Sequence, residues 1–383
     1  MPGIYLHIPF CRQACHYCNF HFSTSLKYRE EMVEAMLMEL ELRKDYLVDR
    51  ELDSIYFGGG TPSLLTEGEL MRFFEKIGKY FTIRPDAEIT LEANPDDLTR
   101  EKIAALRRTP VNRLSIGVQS FFEEDLRFFN RAHNAREARA CLEQALAAGF
   151  NNLTIDLIYG SPTTSHAHWE ENLKTTFLYG IPHVSCYALT VEERTALAHF
   201  IKAGKVKPVD EEHAARQFEM LVAAMRAEGY VQYEISNFAR PGHFAVHNSS
   251  YWKGEPYLGI GPSAHSYNGE SRQWNVANNA KYLRALKDVK DAENLASTLF
   301  GIEYLTPADR YNEYVMTGLR TIWGVSLERL REMGPGYEAH FLQHIQPFLA
   351  NGQAKQEGET IRLTDAGRFL ADGIAASVFA DNA

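Results

Sequence analysis

Cys11, Cys15 and Cys18 fall within eight residues, in C-R-Q-A-C-H-Y-C. Thiolates are soft ligands, and three on one short loop can be carried toward a single metal centre. The other two of five cysteines, Cys141 and Cys186, sit alone in apolar stretches. An odd, clustered count of this kind points to a metal in a reducing compartment rather than to disulfides. Two centres compete. Zinc would take His7, His16 or His21 as a fourth ligand. A cubane iron–sulfur cluster held by three cysteines would leave one iron open to a small molecule that binds through nitrogen and oxygen.

Further polar residues gather where β-rich runs end. Gly58-Gly59-Gly60-Thr61-Pro62 follows SIYF, and three glycines let a backbone come closer to a ligand than side chains would allow. Glu92 ends EITLEA, Gln119 follows RLSIGV, Arg131 lies in NRAH and Asp156 in IDLIYG. Each alone is more often structural, since buried carboxylates commonly pair with Arg or a backbone amide. Together they form a polar ring, provided that the strands stand side by side.

The pattern of the first half supplies that condition. Short β-rich runs at 5–9, 54–57, 88–93, 113–118, 153–159 and 183–189 alternate with helical periodicity over 28–47, 67–80, 99–108, 122–130, 135–148 and 167–179. Six βα units imply a parallel sheet, and right-handed crossovers leave an open doubly wound sheet or a closed or partial barrel. Beyond 190 the rhythm changes to a charged helix over 210–228, a strand-like YEIS at 233–236 and a loop-rich tract over 237–279. From about 297 helices, a Gly-Pro-Gly break and a short β piece suggest a small winged-helix-like domain. The expected division is 1–190, 191–296 and 297–383.

Composition narrows the functional classes. The 383 residues carry 40 Lys+Arg against 50 Asp+Glu, a net charge of −10, with no dense basic run, which disfavours nucleic acid as a partner. No apolar stretch reaches the length of a membrane span, and MPG runs into YLHIPF without a signal-type segment, so a cytoplasmic location is expected.

C-x3-C-x2-C directly after the first strand resembles the radical S-adenosylmethionine (SAM) superfamily. The resemblance implies a [4Fe-4S] cluster whose open iron is chelated by SAM, and an α/β fold. That fold is a partial (β/α)6 TIM-like barrel, with an appended α+β lobe and the small C-terminal domain. YLHIPFC, GGGTPS, GVQSF, IDLIYG and GIGPSAHSY resemble its porphyrin-related branch from residue 4 to about 267. Residue by residue, that branch implies SAM contacts from Tyr5, Tyr17, Gly59, Gly60, Thr61, Glu92, Gln119, Arg131, Asp156 and Ala188.

Within the branch, oxygen-independent coproporphyrinogen III oxidases carry a further cysteine two positions after the third, and an N-terminal extension. Here position 20 is Phe, and the first strand starts by residue 5. C-N-F instead resembles the HemW family of heme chaperones. His247-Asn248-Ser249-Ser250-Tyr251-Trp252 matches the family's H-N-x-x-Y-W signature, which implies heme ligation by His247. A neutral imidazole suits heme iron and aromatic rings can cover a porphyrin face. His243 and His265 in the same tract are rival ligands. The expected function is a heme carrier that passes heme to a respiratory-type acceptor. The resemblance also suggests a homodimer and transient peripheral membrane contact. The alternatives are the oxidase itself, a methylating or methylthiolating radical SAM enzyme, and a zinc module.

Overall fold

The computed structural model describes residues 2–289 and 298–381. The expected boundary at 296–297 lies outside the described residues. Six strands run parallel and in chain order: β1 (Gly3–Ile8), β2 (Glu51–Gly59), β3 (Thr82–Ala93), β4 (Arg113–Gln119), β5 (Leu153–Tyr159) and β6 (His183–Ala188). Along β1, Ile4, Leu6 and Ile8 are buried in one core with Met32, Met36 and Leu40 of the helix Arg29–Leu42. The alternate residues Tyr5 and His7 point to the other face, as a two-residue period requires. Helix starts are fixed locally: Thr66 with Glu69, and Asn134 with Glu137, form capping boxes for the helices Glu67–Tyr80 and Ala135–Ala147.

The sheet stays open, as a partial barrel should, and grows at both edges from residues beyond 190. β7 (Val231–Gln232) and β8 (Asn237–Ala239) add antiparallel strands beyond β6. β9 (Tyr257–Ile260) lies parallel to β1, pairing Gly3 with Tyr257 and Leu6 with Ile260. β10 (His265–Tyr267), β11 (Ser271–Asn275) and β12 (Phe300–Tyr304) follow antiparallel, giving this sheet twelve strands among the described residues. The tract expected to be loop-rich thus supplies four strands of this sheet, β8 to β11, and the helix Val246–Lys253. Its strands hold three to five residues each, too few to display a period. YEIS forms no strand, only an isolated bridge from Glu234 to Thr321.

One buried network joins β9–β11 to the helix Arg29–Leu42. Glu39 Oε1 accepts from Arg43 Nη1 (3.0 Å) and Asn275 Nδ2 (2.7 Å), and Oε2 accepts from Gly261 N–H (2.8 Å) and Tyr282 Oη (2.5 Å). Arg43 in turn donates to Gly259 O (3.0 Å), Ser266 Oγ (3.0 Å) and Gln273 Oε1 (2.7 Å). A separate core of Tyr311, Val315, Leu330, Phe341, Ile345 and Ile374 builds the small C-terminal domain around a three-stranded antiparallel sheet. Its strands are β13 (Val325–Ser326), β14 (Ala354–Glu357) and β15 (Thr360–Leu363).

Glu39 and Arg43 are both buried, so deleting one strands the other's charge. Glu39→Ala is expected to cost about 3–5 kcal/mol in urea unfolding, with Glu39→Gln costing less. An unchanged midpoint would remove this network as the fastening of β9–β11.

Candidate functional site

The cysteine loop is set by backbone contacts at the end of β1. Ile8 O accepts from Gly60 N–H (2.9 Å) and Phe10 O from Thr61 N–H (2.7 Å). A Cβ on Gly60 would lie 2.6 Å from Phe10 O and 2.7 Å from Ile8 O, so no larger residue fits. Gly59 has φ +101°, and a Cβ there would lie 2.6 Å from the His7 ring. The glycines therefore serve first the close approach of two strand ends.

The far side of the loop is tied to the segment after β4. His16 N–H donates to Phe129 O (3.0 Å), Gln13 Nε2 to Asn130 O (2.9 Å), and Asn130 Nδ2 back to Ala14 O (2.8 Å). The next residue, Arg131, places Nη1 3.2 Å from Cys15 Sγ, while Nη2 donates to Asn94 Oδ1 (2.5 Å) and Gly117 O (2.8 Å).

Cys11, Cys15 and Cys18 border one cavity of about 410 Å³ at the C-terminal ends of the parallel strands. Gly59, Gly60 and Thr61 reach it from β2, Glu92 from β3, Gln119 from β4, Asp156 from β5 and Ala188 from β6. Tyr17 and Arg131 complete the set expected from the sequence. Tyr5 instead lines an adjoining cavity of about 210 Å³, deeper in the barrel. Glu92 and Asp156 border both.

Burial governs the electrostatics. It pushes the Cys11 thiol up to about 11, against a hydrogen bond with Thr61, and raises Cys18 as well. Burial also lifts the Glu92 carboxyl to about 7, although Tyr56 Oη (2.7 Å) and Gly59 N–H (3.2 Å) donate to it. Asp156, held up mainly by burial, stands at about 6. Two neighbouring carboxyls thus face one cavity with only partial compensation.

The donor set can be tested against each metal. Thiols held up by burial are suited to a centre whose positive charge compensates the thiolates. For a zinc ion the fourth ligand is the difficulty. His7 is engaged by Tyr5 Oη (3.2 Å) and His21 O (2.9 Å), His21 Nε2 by Asn279 Oδ1 (2.7 Å), and His16 Nδ1 by Phe128 O (2.9 Å). Among the described residues no three His, Cys, Asp or Glu side chains close on the position of a single ion. Three sulfurs on the wall of a roomy cavity, beside a half-buried Arg131 whose buried Nε has no partner among the described residues, fit a larger cluster with an anionic ligand.

His247 lies elsewhere, at the opposite end of the barrel. The helix Val246–Lys253 closes that end, and its first N–H groups, from Val246 (2.9 Å) and His247 (3.0 Å), donate to the Glu88 carboxylate. The His247 ring is 1% exposed, with Nδ1 at 2.8 Å from Ser54 Oγ and Nε2 at 2.8 Å from Tyr251 Oη. Iron ligation by His247 therefore requires one of those bonds to break. Burial holds its pKa down near 3. The sequence reading missed Glu88, the buried Arg113 that pairs with it (3.5 Å), and Asn94 beside Arg131. Asn94 was within reach of sequence reasoning, two residues after Glu92 at the same strand end; the other two lie mid-strand or at a strand start and carry no local signal.

Comparison with known proteins places this geometry in context. Residues 5–176 match the radical SAM superfamily model, and residues 305–370 match the HemN C-terminal domain. The chain is 35% identical over 379 residues to a Mycobacterium tuberculosis protein named heme chaperone HemW, covering 97% of this chain and 93% of that one. A Bacillus subtilis protein of the same name is 31% identical, with 98% of each chain covered. The structure of coproporphyrinogen III oxidase (HemN) from Escherichia coli, a radical SAM enzyme, superposes with a TM-score of 0.83. It covers 99% of this chain and 90% of that one at 23% identity, a likeness of fold. Among the described residues no helix is long and apolar enough to cross a membrane.

The raised Glu92 pKa has a measurable consequence. Between its ordinary value of 4.5 and about 7 the folded chain keeps a proton that the unfolded chain releases, so stability from this group is present at low pH and is lost as pH rises through about 7. Glu92→Gln should therefore stabilise the cofactor-free protein by about 1–3 kcal/mol at about pH 8 and flatten the slope below that. Urea unfolding across this pH range is the measurement; equal slopes for both proteins would contradict the assignment.

Proposed function

Because the chain belongs to the HemW family of the radical SAM superfamily, we propose that it is a heme chaperone that takes up heme and hands it to an acceptor protein. In this reading Cys11, Cys15 and Cys18 hold a [4Fe-4S] cluster, and SAM occupies the cavity beside it. The observation that carries it is the convergence of the three thiols and nine of the ten expected SAM-contact residues on that one cavity.

Cluster and SAM together supply one-electron chemistry when bound. The chain's own residues orient and compensate charge. Arg131 sets a cation against Cys15 and leaves a donor for a carboxylate. Glu92 and Asp156 offer acceptors to an amino group and to hydroxyls, and their burial strengthens such contacts. Phe20, 68% exposed, stands where the resemblance would give an oxidase a further thiol. In this reading residues 1–190 carry the cluster and SAM, 191–296 the H-N-x-x-Y-W helix, and 297–383 the last strand of the main sheet together with the small domain. Cytoplasmic residence, a homodimer and transient membrane contact belong to the same reading and rest on the resemblance.

Anaerobically reconstituted protein should show the broad iron–sulfur absorption, and Cys15→Ser should lose it. Titration with hemin should give a stoichiometric Soret band, with transfer to an apo-acceptor. Absence of heme uptake, or protoporphyrinogen formed from coproporphyrinogen III under anaerobic conditions with SAM, would overturn the proposal.

A further inference from the structure

We propose that heme lodges in the groove between the inner face of β9–β11 and the C-terminal domain, with His265 as its protein ligand and Arg310 and Arg329 receiving its propionates. This rests on the heme-chaperone reading and specifies where the cargo sits.

The groove is a cavity of about 500 Å³, inside the range of roughly 300–1,000 Å³ usual for ligands of this size. Its floor comes from β9 to β11, through Tyr257, His265, Tyr267 and Arg272, and its roof from Arg310, Tyr314 and Arg329 of the C-terminal domain. Aromatic faces suit a flat macrocycle, and guanidinium groups suit carboxylates. Arg272 is paired with Glu313 at 2.8 Å, whereas Arg310 and Arg329 have no carboxylate partner among the described residues. Arg329 lies over the Tyr314 ring, 4.6 Å from its centre, which holds the fork at the groove wall.

The three histidines that the sequence offers differ in availability. His247 has both ring nitrogens bonded, inside a cavity of about 210 Å³ that is too small for a porphyrin. His243 is exposed and borders none of the cavities described. His265 is exposed on the groove and, among the described residues, neither ring nitrogen has a hydrogen-bond partner. Partial desolvation against the groove wall and the Arg272 charge lower its pKa, favouring the neutral ring that binds iron.

The H-N-x-x-Y-W helix then acts one residue removed. Tyr251 borders both the groove and the inner cavity, accepts or donates with His247 Nε2 at 2.8 Å, and packs edge-on against Tyr257 with ring centres 4.6 Å apart. His247 is thereby a positioning residue for the groove wall.

The test is hemin titration of the full chain, read by Soret position and affinity. His265→Ala should lose the imidazole-ligated spectrum, and added imidazole should restore it. Arg310→Ala should weaken hemin roughly 10- to 100-fold but leave hemin dimethyl ester unaffected. His247→Ala should keep the ligation spectrum while lowering thermal stability. If wild type binds hemin and His265→Ala keeps its spectrum and affinity, or His247→Ala alone loses them, the groove assignment is wrong and the chaperone reading stands. If wild type takes up no hemin, the chaperone reading itself fails. Unchanged circular dichroism of the variants separates lost ligation from lost fold.

Discussion

A pair of backbone hydrogen bonds between the end of β1 and the turn after β2, from Gly60 and Thr61 to Ile8 and Phe10, decides where three sulfurs can be. The approach is so close that a single methyl group on Gly60 would strike carbonyl oxygens. Backbone groups cannot rotate away from such a clash as a side chain could. The loop is therefore anchored to the same strands whose ends carry Glu92 and, through Gly117 and Asn94, Arg131. Thiols, carboxyls and guanidinium share one frame, and their distances are properties of the sheet rather than of the loop.

That frame was largely legible from the amino-acid order. Alternating β-rich and helical periods predicted six parallel strands, and polar residues at the strand ends predicted a ring over an apolar body. What escaped had a common cause. β9 to β11 are too short for periodicity and are specified by tertiary bonds, chiefly those from Glu39 and Arg43, more than two hundred residues away in sequence. Tyr5 fell one layer below its expected cavity, because its position on β1 lies well before the strand's end.

The H-N-x-x-Y-W segment illustrates a different limit. Its residue types match a signature that implies a heme ligand, and the structure faces the imidazole inward onto Tyr56 and Ser54. Six letters can describe a ligand or a packed ring equally well; the hydrogen bonds around the imidazole come from β2 and from the helix itself, far from the letters in sequence or hidden within them. Polar residues consequently occupy both ends of the barrel for different reasons: acceptors facing a cavity at one mouth, and at the other His247 and Glu88 bonded to their neighbours.

The helix Val246–Lys253 has eight residues and no side-chain N-cap of its own; Glu88, 158 residues earlier, supplies the acceptor for its first amides. So short a segment is marginal as an isolated helix in water. Its order is therefore borrowed from β3: this turn of chain holds its shape where the Glu88 carboxylate meets its first amides. The stopper in the barrel's lower mouth is thus held in place by the very wall that it closes.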